Sequence, residues 1–215
     1  LQLEVERYVG RLVGAGLTVL APADCPEYVE QRLEAFAGLP EGDPRALTPE
    51  RRAAVRAVLP EVAGWAEEVA ALGLPLTLCH NDLHGRNAFD LDGELRLFDF
   101  ADALVTEPLA GLVVPLQRLA EQLGAGPDDP RLHQVADAAL EVWSDYAPLS
   151  DLRRALPAAL RLGRLARVES WVRCTAVMND AELVDWGRSA GDWLTSVAGA
   201  PPLGVSPTGD GYGRA

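Results

Sequence analysis

One short segment constrains this chain more than any other. Residues 88–99 (AFDLDGELRLFD) alternate between apolar and polar with an Asp-Gly turn signal in the middle, and a short apolar run, Leu76–Cys79, precedes them. On both sides of this segment the apolar residues recur at helical spacing. The spacing predicts helices over 2–16 and 26–36, and one from Pro49 to Ala71 with Thr48 as its cap and a kink at Pro60. Further helices are expected near 109–123, 130–146, 150–163, 164–178 and 181–197. Residues from 199 on are rich in Gly and Pro and read as a disordered tail. The expected fold is therefore mostly α with a small β-hairpin, in the α+β class.

The hairpin's register follows from its alternation. Directly opposed residues share a face. Pairing Phe89 with Leu97 and Leu91 with Leu95 keeps the apolar residues together, and it requires a three-residue loop, Asp92-Gly93-Glu94. A two-residue Asp-Gly turn would set Phe89 against Arg96. Extended outward, the three-residue register puts Asn87 opposite Asp99, with Cβ atoms about 5 Å apart. An amide oxygen and a carboxylate at that separation suit a shared Mg²⁺, which takes one or two protein oxygens plus phosphate and water.

Charge and residue usage exclude several classes of function. The chain has 32 acidic residues against 19 basic ones, a net charge of −13, which disfavours nucleic acid and anionic membrane as partners. Every basic residue is arginine, so lysine chemistry of any kind is absent. The longest apolar run, Leu109–Leu116, is far short of a membrane span. Cys25, Cys79 and Cys174 are few, widely spaced and without a CxxC, which fits reduced thiols and a cytoplasmic location.

The residues that carry chemistry are in the run His80-Asn81-Asp82-Leu83-His84-Gly85-Arg86-Asn87, followed by Asp99. A carboxylate at Asp82, five residues before a metal-ligating Asn87, is suitably placed to orient a substrate hydroxyl and take its proton during phosphoryl transfer. The spacing resembles the protein-kinase catalytic loop and metal-binding Asp. More closely, HNDLHGRN with LRLFDFADA resembles the aminoglycoside phosphotransferase and choline kinase-like family. That resemblance implies a kinase-like C-terminal lobe over residues 1–198. Within it, 1–75 would be helical, 76–108 would hold the catalytic loop and hairpin, and 109–198 would be helical and face the substrate. It further implies Asp82 as catalytic base, His80 as a brace of the catalytic loop, and Asn87 and Asp99 as ligands of the Mg²⁺ that holds ATP. The acceptor would be a small hydroxyl-bearing molecule such as an aminoglycoside or amino alcohol, with a cationic acceptor suiting the acidic surface.

The chain departs from the family pattern in several places. Asn81 stands where the family has glycine, Ala101 follows Phe100 where glycine is common, and Gly111 replaces an Asp that braces the loop. The smaller lobe's glycine-rich loop and strand lysine are not found here, so the chain reads as the C-terminal lobe of a longer enzyme. The only glycine cluster, Thr208–Gly213, lies in the expected tail. Two other readings stay open: a catalytically silent kinase-like binding module, and a metal hydrolase built on His80 and His84. The bland reading of Asp82, Asn87 and Asp99 is that they form turns and caps. Arg153, Arg154, Arg161, Arg164 and Arg167 read as partners of the protein's own acidic surface, and Trp143, Trp171, Trp186 and Trp193 as core. Glu141, Asp145, Glu169, Asp180 and Asp185 are candidate ligands for a cationic acceptor.

Overall fold

A computed structural model describes residues 1–203 of the chain, which are mostly helical with two small sheets. The expected first helix is broken into α1 (Gln2–Val5), a 3-10 turn (Glu6–Tyr8) and α2 (Val9–Gly14). Strand β1 (Val19–Leu20) and helix α3 (Cys25–Ala37) follow. In place of one kinked helix there are two, α4 (Pro49–Ala57) and α5 (Leu59–Ala70). Pro60 lacks the N–H that would continue the ladder, so the chain breaks at Val58 instead of bending. Thr48 caps α4 as expected, its side chain accepting from the Arg51 N–H.

The β elements hold the centre of the chain together. Strand β2 (Thr77–Cys79) pairs antiparallel with β5 (Leu104–Thr106), Cys79 opposite Leu104, and β1 adds to β5 in parallel. Between β2 and β5 the chain makes one excursion that includes the hairpin β3 (Ala88–Leu91) and β4 (Glu94–Leu97). The sheet thus pins both ends of the segment that carries His80, Asp82, Asn87 and Asp99.

After β5 a 3-10 turn (Pro108–Leu112) leads into α6 (Val113–Leu123), followed by α7 (Pro130–Glu141). The two helices expected over 150–178 are one, α8 (Leu149–Thr175), and the helix expected over 181–197 is two, α9 (Asp180–Trp186) and α10 (Ser189–Ser196). α8 continues through Gly163 without a break. The glycine serves a close contact, since a Cβ there would lie 2.6 Å from Val113 Cγ2 and 2.8 Å from the Ala110 carbonyl oxygen. The core is continuous around α8, with Leu152, Leu160 and Leu165 fully buried against residues of α5, α6 and α10. Each such leucine contributes about 2 kcal/mol by burial. Order extends past 199: Leu203 is buried and Arg164 donates to the carbonyls of Ser196, Gly199 and Ala200. The rest of the expected tail, with Thr208–Gly213, lies outside the described residues.

Glu107 is the least expected core residue. Its Oε2 accepts from the Leu109 N–H at 2.8 Å, capping the 3-10 turn, while Oε1 has no partner among the described residues. Burial raises its carboxyl from 4.5 to about 7. The folded state therefore binds a proton that the unfolded chain releases between those values. This contribution to stability is complete below about pH 4.5 and is lost as pH rises through 7. Glu107→Gln keeps the cap and removes the charge. Urea midpoints should find the variant more stable than wild type at pH 8, by roughly 3 kcal/mol, with the gap closing near pH 5; parallel pH curves would contradict this origin.

Candidate active site

The loop that follows β2 turns sharply at Asn81, whose φ of 64° lies in the left-handed region. Glycine fits there freely, and asparagine is among the few other residues that tolerate it. Asn81 also uses its side chain: buried, its Nδ2 donates to the Asp102 carbonyl at 3.3 Å and the Ala166 carbonyl of α8 at 3.4 Å. The departure from glycine therefore adds a tether. Gly111 is packed close to Gln2 and Cys79, and the loop takes its bracing from α8.

His80 is buried and ties together the two halves of the site. Its Nδ1 accepts the Asp82 N–H at 3.3 Å, which assigns the ring proton to Nε2, and Nε2 donates to the Phe98 carbonyl at 2.8 Å. The ring rests against Phe100, with centroids 4.6 Å apart. Both nitrogens are thus committed to backbone, leaving no lone pair for a metal. His84 likewise accepts the Arg86 N–H at Nδ1. Among the described residues no three His, Cys, Asp or Glu side chains are grouped to hold a metal. The hydrolase reading, which needs both histidines, therefore lacks His80.

Asp82 is partly exposed. Its Oδ1 is 3.3 Å from Nη2 of Arg167, and its Oδ2 faces His84 Nε2 and Asn87 Nδ2, each at 3.5 Å. Asn87 is buried, and its Nδ2 donates to the Asp82 carbonyl at 2.9 Å. That bond commits the amide nitrogen to the loop backbone. Asp99 is exposed, with φ 61° and ψ 63°. Two of the three non-glycine residues with positive φ among the described residues, Asn81 and Asp99, are in this site. Such conformations cost about 1–3 kcal/mol each and persist where surrounding contacts impose them.

The hairpin register differs from the one the alternation predicts. Asp92 and Gly93 form a two-residue turn with φ of 55° and 83°, so Phe89 pairs with Arg96 and Asp90 with Leu95. Both central residues have positive φ, the geometry that Asp-Gly favours in tight hairpins. The apolar alternation had nothing to align it, since Phe89, Leu91 and Leu95 are all exposed, 47–69%. Continued outward, this register brings Asn87 opposite Phe98, whose N–H donates to the Asn87 carbonyl at 3.2 Å. Asp99 is one step further on.

Arg167, read from the sequence as surface pairing, is buried in this site. Nη1 contacts Asp102 Oδ2 at 3.0 Å and the Asn81 carbonyl at 3.1 Å, and the guanidinium lies over Trp193, 5.5 Å from the ring centroid. Trp193 is also a wall of a cavity of about 650 Å³ between α6, α10 and residues 200–202, to which Glu121, Arg164, Asp192 and Ser196 contribute. Trp143 is core as expected, whereas Trp186 is exposed and stacks on Trp171, centroids 5.9 Å apart. Of the acidic candidates, Glu169 is engaged by the Tyr28 hydroxyl at 2.9 Å, and the other four are exposed.

Asn81 combines an unusual backbone conformation with two side-chain bonds, and two variants separate these contributions. Asn81→Gly keeps the conformation and loses the tether, at about 1–2 kcal/mol. Asn81→Ala loses both and should fall further by about 1 kcal/mol. Equal urea midpoints for the two variants would contradict the assignment of strain to this position.

A search of curated proteins finds no match to the chain. The sequence model of the phosphotransferase enzyme family matches residues 5–152. That span runs from the first helix through the 80–87 loop, the hairpin and Asp99, and it covers more than half the chain. The chain therefore belongs to the phosphotransferase enzyme family.

Proposed function

We propose that the protein transfers the γ-phosphate of ATP, in the presence of Mg²⁺, to a hydroxyl of a small molecule. In this reading residues 1–198 are the C-terminal lobe of a kinase-like enzyme: 1–75 the helical support, 76–108 the catalytic loop and hairpin, 109–198 the acceptor side. The exposed Phe89, Leu91, Leu95 and Phe98 beside the site suit an apolar covering by a second lobe. The setting is cytoplasmic, consistent with three free thiols; no helix among the described residues is long and apolar enough to cross a membrane.

The orientation of Asn87 carries the proposal. Its Nδ2 is spent on the Asp82 carbonyl, so the amide oxygen remains as a ligand, and the Asp99 carboxylate is exposed on the neighbouring strand end. These are hard oxygen donors, and they fit Mg²⁺. When bound, the ion neutralises charge on the ATP phosphates. Asp82 Oδ2 accepts the proton of the acceptor hydroxyl. As the acceptor oxygen bonds to the γ-phosphorus, the bond from that phosphorus to the β,γ-bridging oxygen breaks and ADP leaves. His80 holds the base and the metal-side strand in one frame through its two backbone bonds.

The acceptor hydroxyl would be met at Asp82 Oδ2, the carboxylate oxygen that Arg167 leaves free. The cavity walled by Trp193 has none of His80, Asp82, Asn87 or Asp99 in its lining and is not needed for this reading. A net charge of −13 suits a cationic acceptor of the aminoglycoside-like or amino-alcohol kind. In the full-length protein, Asp82→Asn should lower kcat for a screened acceptor by about 10²–10⁴-fold, with KM for ATP changed less than about threefold. Turnover equal to wild type would sink the assignment.

A further inference from the structure

We propose that Arg167 is a positioning residue for Asp82, fixing one carboxylate oxygen so that the other is presented to the acceptor hydroxyl. The proposal rests on the phosphotransfer reading for its catalytic consequence, and on the contacts of Arg167 for its geometry.

A buried guanidinium needs partners on every side, and those of Arg167 divide unequally. Nη1 is fixed from two directions, by Asp102 Oδ2 at 3.0 Å and the Asn81 carbonyl at 3.1 Å. The Trp193 ring supports the planar face. These contacts set the orientation of the fork before Asp82 is involved, and they leave Nη2 to meet Asp82 Oδ1 at 3.3 Å. Nε has no partner among the described residues. The longer distance goes to Asp82, whose side chain is 24% exposed against 7% for Arg167. Asp82 is steered and remains open on its Oδ2 side, where the nearest donors, His84 Nε2 and Asn87 Nδ2, are both at 3.5 Å.

The depth of Arg167 comes from α8. Gly163 lies one turn earlier on the same helix, and its contact with Ala110 and Val113 brings this face of α8 close to the 108–112 turn. Ala166, Arg167 and Ser170 then reach the loop and the segment after Asp99: the Ala166 carbonyl accepts from Asn81 and the Ser170 hydroxyl donates to the Asp102 carbonyl at 2.9 Å. Lysine cannot replace this function. A single ammonium on a flexible stem lacks the fork that holds Asp102 and Asn81 on one nitrogen while offering the second to Asp82.

Two measurements test the proposal. In the full-length protein, Arg167→Ala should lower kcat by about 10²-fold, the scale of a misplaced catalytic group, with KM for ATP within about threefold of wild type. Free guanidinium at sub-denaturing concentration should restore at least about tenfold to Arg167→Ala and nothing to Asp82→Ala. A kcat for Arg167→Ala within twofold of wild type overturns the proposal. Amide exchange on the 215-residue chain tests the placement without turnover. Arg167→Lys, the variant least disruptive to folding, should speed exchange of the 81–87 amides about tenfold and leave α5 unchanged. Unaltered exchange in 81–87 overturns the proposal whether or not the wild type transfers phosphate. Absence of any transfer by wild type, with faster loop exchange in the variant, defeats the phosphotransfer reading alone.

Discussion

The arrangement around Asp82 depends on how closely α8 approaches the 3-10 turn at 108–112. Gly163 sets that distance, because any side chain would collide with Val113 and the Ala110 backbone. At this separation the following turn of α8 brings Ala166, Arg167 and Ser170 within hydrogen-bonding reach of the 80–87 loop and the segment after Asp99. The buried leucines of α8 hold the helix in the core. The sheet does the complementary work, since β2–β5 pairing closes the ends of the excursion that carries the polar residues.

Within that frame, two residues adopt a backbone conformation that side chains seldom take. Asn81 and Asp99 are both left-handed, and both flank bonds that converge on His80: Asn81 follows it directly, and the His80 ring holds the carbonyl of Phe98, just before Asp99. A histidine with both nitrogens on backbone is a rigid spacer. It fixes the relation between the candidate base and the candidate metal ligands, which is what phosphoryl transfer asks of a protein, since its catalysis is largely positioning and electrostatics. The signature of this loop is therefore legible as mechanics as well as chemistry.

The helices were readable where an apolar stripe meets the core, as in α3 and α7, and the Thr48-Pro49 start was readable from cap chemistry alone. The hairpin register was not, because its apolar residues are exposed on both faces and alternation then carries no burial information; the preference of Asp-Gly for a two-residue turn decided it. The boundary expected between 163 and 164 is absent, and the partners that Gly163 approaches, Ala110 and Val113, are too far away along the chain to be read from the local sequence. The three-stranded sheet was hidden for a similar reason, since β1 has two residues and pairs with a strand far along the chain. His80, Asp82, Asn87 and Asp99 were visible through spacing. Arg167 was not, since its partners come from loops more than sixty residues earlier, although its place one turn after Gly163 on a small-residue face was a usable signal.

The central claim is that Asn87 and Asp99 form a metal–phosphate site beside Asp82. It is tested most directly by thermal melting of the protein with and without MgATP, alongside Asp99→Asn. Nucleotide at about 100 times its dissociation constant adds roughly 2.7 kcal/mol, which for a chain of this size raises the midpoint by about 5–10 °C. The expected result is a rise that needs Mg²⁺ and disappears in the variant. An equal rise in Asp99→Asn, or no Mg²⁺-dependent rise in wild type, would contradict the claim.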